Sequence, residues 1–165
     1  MKIIRNIFLL LLLFSVLPVY SGVFSVRIGG RNLTVETTTG WKRIRSAAYE
    51  LLTLVRGKDI LGLRVDLVKD KYAEYLRMHE YNIKRVARRM EKDRKIFIEG
   101  VEFHEFVSER ILPNKKPEYQ RMLITNNGNA AIVFRYVSFE RKNFLRTLEE
   151  MNTVVSGFLR NNFLR

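Results

Sequence analysis

The chain has 165 residues, no cysteine, and 30 Lys and Arg against 17 Asp and Glu, which gives a formal net charge of +13. The length suits one domain, and a hydrophobic content of 47% with 12% aromatic residues excludes an intrinsically disordered chain. The absence of cysteine excludes a disulfide framework, a thiolate metal site and a cysteine nucleophile.

The N-terminal residues have the three parts of a secretory signal peptide. Two basic residues lie within the first five, an apolar run follows over 7–17, and small residues precede a cleavage site after Ser21. The apolar run covers about 11–14 residues, whereas a transmembrane helix needs roughly 20. We therefore predict a signal peptide over 1–21 and one mature domain over 22–165, with an uncleaved N-terminal anchor as the alternative.

The predicted export determines which partners a basic protein would meet. Removing Lys2 and Arg5 lowers the formal charge from +13 to +11. An exported protein encounters lipid head groups, acidic glycans and acidic proteins, and little nucleic acid, so nucleic acid is disfavoured as a partner. Small secreted eukaryotic domains are rich in disulfides, so the lack of cysteine favours a bacterial periplasmic or secreted protein.

The first half of the mature chain predicts a β-hairpin followed by two helices. Strand-like runs over 23–28 and 33–38 flank a Gly-Gly turn. Apolar residues at steps of three and four then predict a helix over 41–56. The same spacing from Leu61 to Met90 predicts a long second helix. Because the first helix is too short to cover the second, we expect a helical hairpin with a projecting, coiled-coil-like arm over about 60–95.

The second half predicts a strand, a helix, a hairpin and a last helix. A short strand is expected over 95–99 and a helix over 102–112, which a Pro-rich loop over 113–117 ends. Apolar runs on both sides of Asn126-Asn127-Gly128-Asn129 predict a second β-hairpin. Helical spacing after Ser138 predicts a C-terminal helix. The fold class expected is α+β, with antiparallel hairpins and the helices packed on one side of the sheet.

No motif for a metal, a cofactor or a nucleophile occurs in the sequence. The two histidines, His79 and His104, stand in no metal-ligand spacing, and no phosphate-binding loop or G-x-S-x-G is present. His79 falls on the apolar side of the predicted long helix, where we interpret it as a packed residue and not a pH switch. Paired carboxylates can meet from any distance in sequence, so a small hydrolase or lyase acting on an envelope polymer is the catalytic alternative. We favour a non-catalytic protein without cofactors.

The candidate binding residues are six cations at the far end of the predicted long helix. At 100° per residue they share one face. They are Lys84, Arg85, Arg88, Arg89, Lys92 and Lys95. This face is predicted to dock on an acidic envelope protein or a polyanionic polymer, and the alternative is a solvated surface that maintains solubility.

An acidic stripe on the predicted helix over 102–112 offers a further partner. Glu102, Glu105 and Glu109 could accept the basic face of a second copy, which makes a homo-oligomer an alternative.

The overall layout gives the functional hypothesis. We predict a non-catalytic binding or assembly protein of the cell envelope. A signal peptide, a β-rich base, projecting helices and basic charge form a layout that is similar to that of the Skp/OmpH chaperones. That resemblance implies, as an alternative, a periplasmic holdase whose basic arms surround unfolded outer-membrane proteins.

Overall fold

The computed structural model describes residues 20–28, 30–46 and 49–164. The predicted signal peptide therefore lies outside the described residues, except for its last two positions. The described residues form nine strands and two helices: β1 Tyr20–Ile28, β2 Arg31–Thr38, β3 Lys42–Ile44, β4 Leu52–Arg56, β5 Asp59–Leu67, α1 Tyr72–Val86, β6 Arg89–Ile98, β7 Val101–Ile111, β8 Pro117–Asn127, β9 Ala130–Ser138 and α2 Arg141–Asn162.

The strands form two antiparallel sheets. β1 and β2 make a two-stranded hairpin, and the other strands make a seven-stranded sheet in the order β3-β4-β5-β9-β8-β7-β6. Successive strands pair in both halves of this sheet, and the halves join where β5 pairs with β9, with Leu63 opposite Phe134. The α+β fold class is confirmed.

The central strands carry apolar residues on both faces, because each face of the large sheet is covered by a helix. On β7, Phe103 and Val107 belong to the core beneath α2, while Phe106 belongs to a second core beneath α1. The helices therefore lie on opposite faces, whereas the sequence suggested one side. α1 contributes the buried Ile83 to the second core and lies against the sheet.

The C-terminal helix is fixed to both sheets. Phe144 stacks on Tyr136 of β9 at an angle of 6° between the ring planes, and Phe158 meets Phe134 edge to face. At the far end, the Asn162 side chain accepts the Thr34 N–H and donates to the Thr34 carbonyl, at 2.9 Å each. These two bonds attach α2 to β2, so the small hairpin completes the core on this face.

The two hairpins and the C-terminal helix are confirmed, but the predicted helical hairpin is wrong. The range 41–56 contains β3 and β4, and 59–67 is the strand β5. Only 72–86 is helical, and β6 begins at Arg89, so no helix extends over 60–95. The helix predicted over 102–112 is also wrong, since this segment is the strand β7. The strand expected over 95–99 is the end of the longer β6.

The error has a physical cause. Strands buried on both faces place apolar residues at consecutive positions, and such runs imitate steps of three and four by chance. A better signal was present over 61–67, where Leu61, Leu63 and Val65 alternate with Gly62 and Arg64.

Candidate functional site

The six predicted binding residues lie at one edge of the large sheet. Lys84 and Arg85 end α1, Arg88 connects it to β6, and the other three lie on β6. An ion pair between Lys84 Nζ and Asp93 Oδ2, at 3.0 Å, connects the end of α1 to β6. Within the described part of the chain, β6 pairs only with β7 and is therefore an edge strand. We call this surface, formed by Lys84, Arg85, Arg88, Arg89, Lys92 and Lys95, the basic edge.

Half of the basic edge is neutralised within the chain. Lys84 bonds both Glu80 and Asp93, and Lys95 lies 2.9 Å from Glu102. Arg88 approaches Glu109 only at 4.0 Å. The remaining members, Arg85, Arg89 and Lys92, make no ion pair with any acid in the ranges described. The charges of Arg85 and Arg89 are available to a partner, whereas Lys92 is half-buried and its charge also acts on Glu105.

The acidic stripe lies on a strand and has partners in its own subunit. Glu102 pairs with Lys95, and Glu109 with Arg88 and Arg141. Glu105 is buried at 1% exposure, so it cannot accept the basic edge of a second copy. The expectation that Glu105 accepts the basic face of a second copy is therefore wrong.

Glu105 is the buried centre of an ion triad that joins three strands to α2, and of its two partners Arg121 is buried and Arg94 is exposed. Its two oxygens accept from Arg121 Nε and Arg94 Nε, at 2.8 Å each, and Arg121 also donates to the Leu148 carbonyl of α2. Burial acts to raise the pKa of Glu105, but the Arg94 hydrogen bond and the neighbouring cations outweigh it and hold that pKa below its ordinary value. Burial lowers the pKa of the Arg121 guanidinium, which nevertheless stays charged.

A second polar site is a cavity of about 310 Å³ on the face of the sheet that carries α1. Its floor is formed by β5, β9, β8 and β7, and its wall by the residues before β4. The lining residues are Tyr49, Glu50, Gly62, Arg64, Arg110, Gln120, Met122, Val133 and Arg135. No motif in the sequence indicates this site, because its residues come from five separate segments. We call it the arginine cavity.

Each guanidinium of the cavity is held by a carboxylate. Arg135 donates to Glu50 Oε1 at 2.6 Å, and Arg110 donates to both oxygens of Glu118. Arg64 lies 2.7 Å from Asp66. Of these acids only Glu50 lines the cavity, so the lining itself carries three positive charges and one negative charge.

Gly62 provides the space for Glu50. A Cβ atom at this position would lie 2.8 Å from Glu50 Oε1, closer than packed atoms come. The other oxygen of Glu50 accepts the Thr53 hydroxyl at 2.6 Å. Strand β5 therefore needs glycine at this point because a carboxylate lies directly on it.

His79 borders Arg64 from α1. Arg64 Nη2 lies 2.8 Å from both His79 Nε2 and the Tyr75 hydroxyl, and the Tyr75 hydroxyl bonds Asp66. Burial and the Arg64 charge lower the pKa of His79, so the ring is neutral and accepts from Arg64. The interpretation of His79 as a packed, hydrogen-bonded residue agrees with this position.

Neither of the two described helices is long and apolar enough to cross a bilayer. Within the described residues, no three His, Asp or Glu side chains form a group that could hold a metal ion.

The architecture defines a class of α+β proteins with a seven-stranded antiparallel sheet between two helices. Solved structures with a similar fold include LpqN, involved in cell envelope biogenesis of Mycobacterium tuberculosis, and the cyanobacterial PsbP protein CyanoP from Synechocystis sp. PCC 6803. LpqN superposes with a TM-score of 0.56 at 9% identity, over 81% of this chain and 87% of LpqN. CyanoP gives 0.55 at 9% identity, over 81% and 89%.

A larger protein from Bacteroides thetaiotaomicron matches with a TM-score of 0.52 at 10% identity, over 75% of this chain and 43% of that protein. At such identities the likeness concerns the fold alone. No protein-family model and no curated protein matches the sequence.

Proposed function

We propose that this chain is an exported, non-catalytic binding protein of the bacterial cell envelope that engages an acidic protein segment at the basic edge. The observation that carries the proposal is the position of Arg85, Arg89 and Lys92 beside an edge strand, where they form no ion pair within the described chain. Several exposed cations together attract an acidic surface, although each contact contributes only about 0–1 kcal/mol.

The backbone of β6 favours a polypeptide over a polymer as the partner. An edge strand presents N–H and C=O groups that an extended peptide can pair with, whereas a glycan or phosphate polymer cannot. Phe97 on β6 is 68% exposed and Tyr81 on α1 is 65% exposed, and aromatic residues are enriched at protein interfaces. Tyr81 lies one helical turn from Arg85. An acidic, partly apolar strand fits these features.

The envelope part of the proposal has separate support. LpqN, which has the same fold, is involved in cell envelope biogenesis. Of strand β1, the predicted cleavage after Ser21 would remove only Tyr20 and Ser21, and Gly22 to Ile28 would keep their pairing with β2. Export predicts that the product outside the cytoplasm begins at Gly22, which N-terminal sequencing or mass spectrometry would check.

The described fold gives the two alternatives less support than the binding protein. The Skp-like holdase depended on a projecting helical arm, and α1 lies on the sheet instead. The hydrolase was expected to have converging carboxylates or a histidine in a pocket. In the arginine cavity, Glu50 is the single acid among the lining residues, and it binds Arg135 and Thr53.

The test compares two triple variants that each remove three positive charges from an edge strand and its flank. The first is Arg85→Gln/Arg89→Gln/Lys92→Gln on the basic edge. The matched control is Lys42→Gln/Arg43→Gln/Arg45→Gln at the opposite edge, where all three side chains are exposed. The probe is a fluorescent peptide of alternating Glu and Val, with binding followed by anisotropy. We expect the first variant to weaken binding at least fivefold and the control less than twofold.

Two further measurements decide between partner classes. Backbone N-methylation of the peptide should abolish binding, because strand pairing needs its N–H groups. If both triple variants weaken peptide binding equally, the net charge of the protein causes the binding, and the basic edge is not a specific site. If the protein binds polyphosphate tightly and does not bind the peptide, the partner is a polyanion and the proposal of a protein partner is wrong.

A further inference from the structure

We propose that the arginine cavity binds a small aromatic phosphate, independently of the basic edge. The cavity lies on the face of the sheet that carries α1, and its lining includes none of the residues of the basic edge. Its volume of about 310 Å³ is at the lower end of the range for small-molecule sites, so the occupant is small.

The three guanidinium groups keep donors free for a ligand. Arg110 and Arg135 each use Nε and Nη2 for their carboxylates, and Arg64 uses Nη2 for Tyr75 and His79. In the described part of the chain, the Nη1 group of each arginine has no hydrogen-bond acceptor. These hydrogen bonds orient the guanidinium planes and leave the Nη1 group of each arginine available.

The arrangement of donors favours a phosphate over a carboxylate. A phosphate monoester has three terminal oxygens and nearly two negative charges, whereas a carboxylate has two oxygens and one charge. Three arginines that converge on one cavity match the larger anion. Glu50 also lines the cavity, but its two oxygens are engaged by Arg135 and Thr53, and Arg135 compensates its charge.

The remaining lining favours an aromatic group on the phosphate. Met122 and Val133 provide apolar surface on the floor, and Tyr49 on the wall is 62% exposed. The Tyr49 ring also lies 5.8 Å from the Arg64 guanidinium, which places a stacking surface beside one of the phosphate donors. Gln120 supplies an amide for a further polar contact.

The experiment titrates the folded protein with phenyl phosphate, followed by calorimetry and by the arginine Nε–H signals in NMR spectra. Arg110→Gln/Glu118→Gln removes one guanidinium together with its carboxylate, so no buried charge is left unpaired. Lys58→Gln/Glu140→Gln neutralises an exposed ion pair away from the cavity and is the matched control. We expect saturable binding that the cavity variant weakens at least tenfold and the control leaves within twofold.

Two additional measurements make the result specific. Arg110→Lys keeps the charge but loses the planar fork, so it should weaken binding at least threefold. Phenyl phosphate should shift the Nε–H signals of Arg64, Arg110 and Arg135 and bind at least tenfold more tightly than benzoate. The proposal is overturned by the absence of saturable binding, by equal affinity for benzoate, or by equal affinities in the cavity variant and the control. These outcomes leave the basic edge untouched, so the two proposals fail separately.

Discussion

Glu105 and Glu102 lie on the same strand and differ mainly in their surroundings. Glu105 has a side chain that is 2% exposed and pairs with Arg121, which is 4% exposed. Glu102 is half exposed and pairs with the exposed Lys95. A buried ion pair depends on both members, because removal of one leaves an uncompensated charge in a region of low dielectric constant. An exposed pair exchanges its partner for water at little cost.

We predict that Glu105→Gln lowers the free energy of unfolding by about 3–5 kcal/mol, because it leaves the buried Arg121 without its carboxylate. The matched control Glu102→Gln should change it by less than about 1 kcal/mol. Urea denaturation followed by circular dichroism measures both values. Equal effects of the two substitutions would show that Arg121 is solvated in solution and not held by Glu105.

Among the elements, β5 and α2 contain glycines with opposite requirements. Gly62 on β5 lies against the Glu50 carboxylate, whereas a Cβ at Gly157 on α2 would meet no atom within 4 Å. The backbone of α2 is helical at Gly157, and glycine destabilises a helix because it loses more conformational entropy than alanine.

We therefore predict that Gly157→Ala raises the free energy of unfolding by about 0.5–1 kcal/mol. Gly62→Ala should lower it by about 1–3 kcal/mol, since the new methyl group displaces Glu50 from Thr53 and Arg135. Thermal melting of the two variants provides the measurement. A stabilising Gly62→Ala would mean that Glu50 moves aside without losing its bonds.

For the whole molecule, the distribution of charge predicts sensitivity to acid. The carboxylates with a pKa below the ordinary value include those of Asp93, Glu105 and Glu150. In each case burial acts to raise the pKa, and hydrogen bonds from basic or polar neighbours outweigh it. For Glu150 these neighbours are Arg56, Thr38 and Trp41. The formal charge of +13 adds self-repulsion as acids become neutral.

A carboxylate whose folded pKa lies below its unfolded pKa stabilises the fold above the unfolded value and loses this contribution as the pH falls. The unfolded pKa values lie near 4, so we predict a steep loss of stability between about pH 5 and pH 3. His79 adds a smaller loss below about pH 6.5, because its lowered pKa lets only the unfolded chain take up the proton. Urea midpoints at pH 7, 5 and 3.5 test this. A urea midpoint that is the same at all three pH values would show that these ion pairs do not stabilise the fold.

Much of the local structure could be predicted from the sequence. The Asn-Gly pair between β8 and β9, the Gly-Gly pair between β1 and β2 and the apolar spacing of α2 are local signals, because each is contained in a segment of about 20 residues. The sequence predicts that the cations of the basic edge lie on one long helix. In the structure they lie at the end of α1, in the connection after it and on the edge strand β6. Their role as a binding surface stays a prediction.

The α+β class, the two hairpins, the C-terminal helix and the excess of positive charge follow from the sequence. Long-range packing made β3, β4, β5 and β7 strands, buried Glu105, and brought Arg64, Arg110 and Arg135 into one cavity. The physical reason is that turn chemistry and helix spacing act between neighbours along the chain. Pairing of β5 with β9 joins residues about 70 positions apart, and only this contact converts separate segments into a sheet with two covered faces.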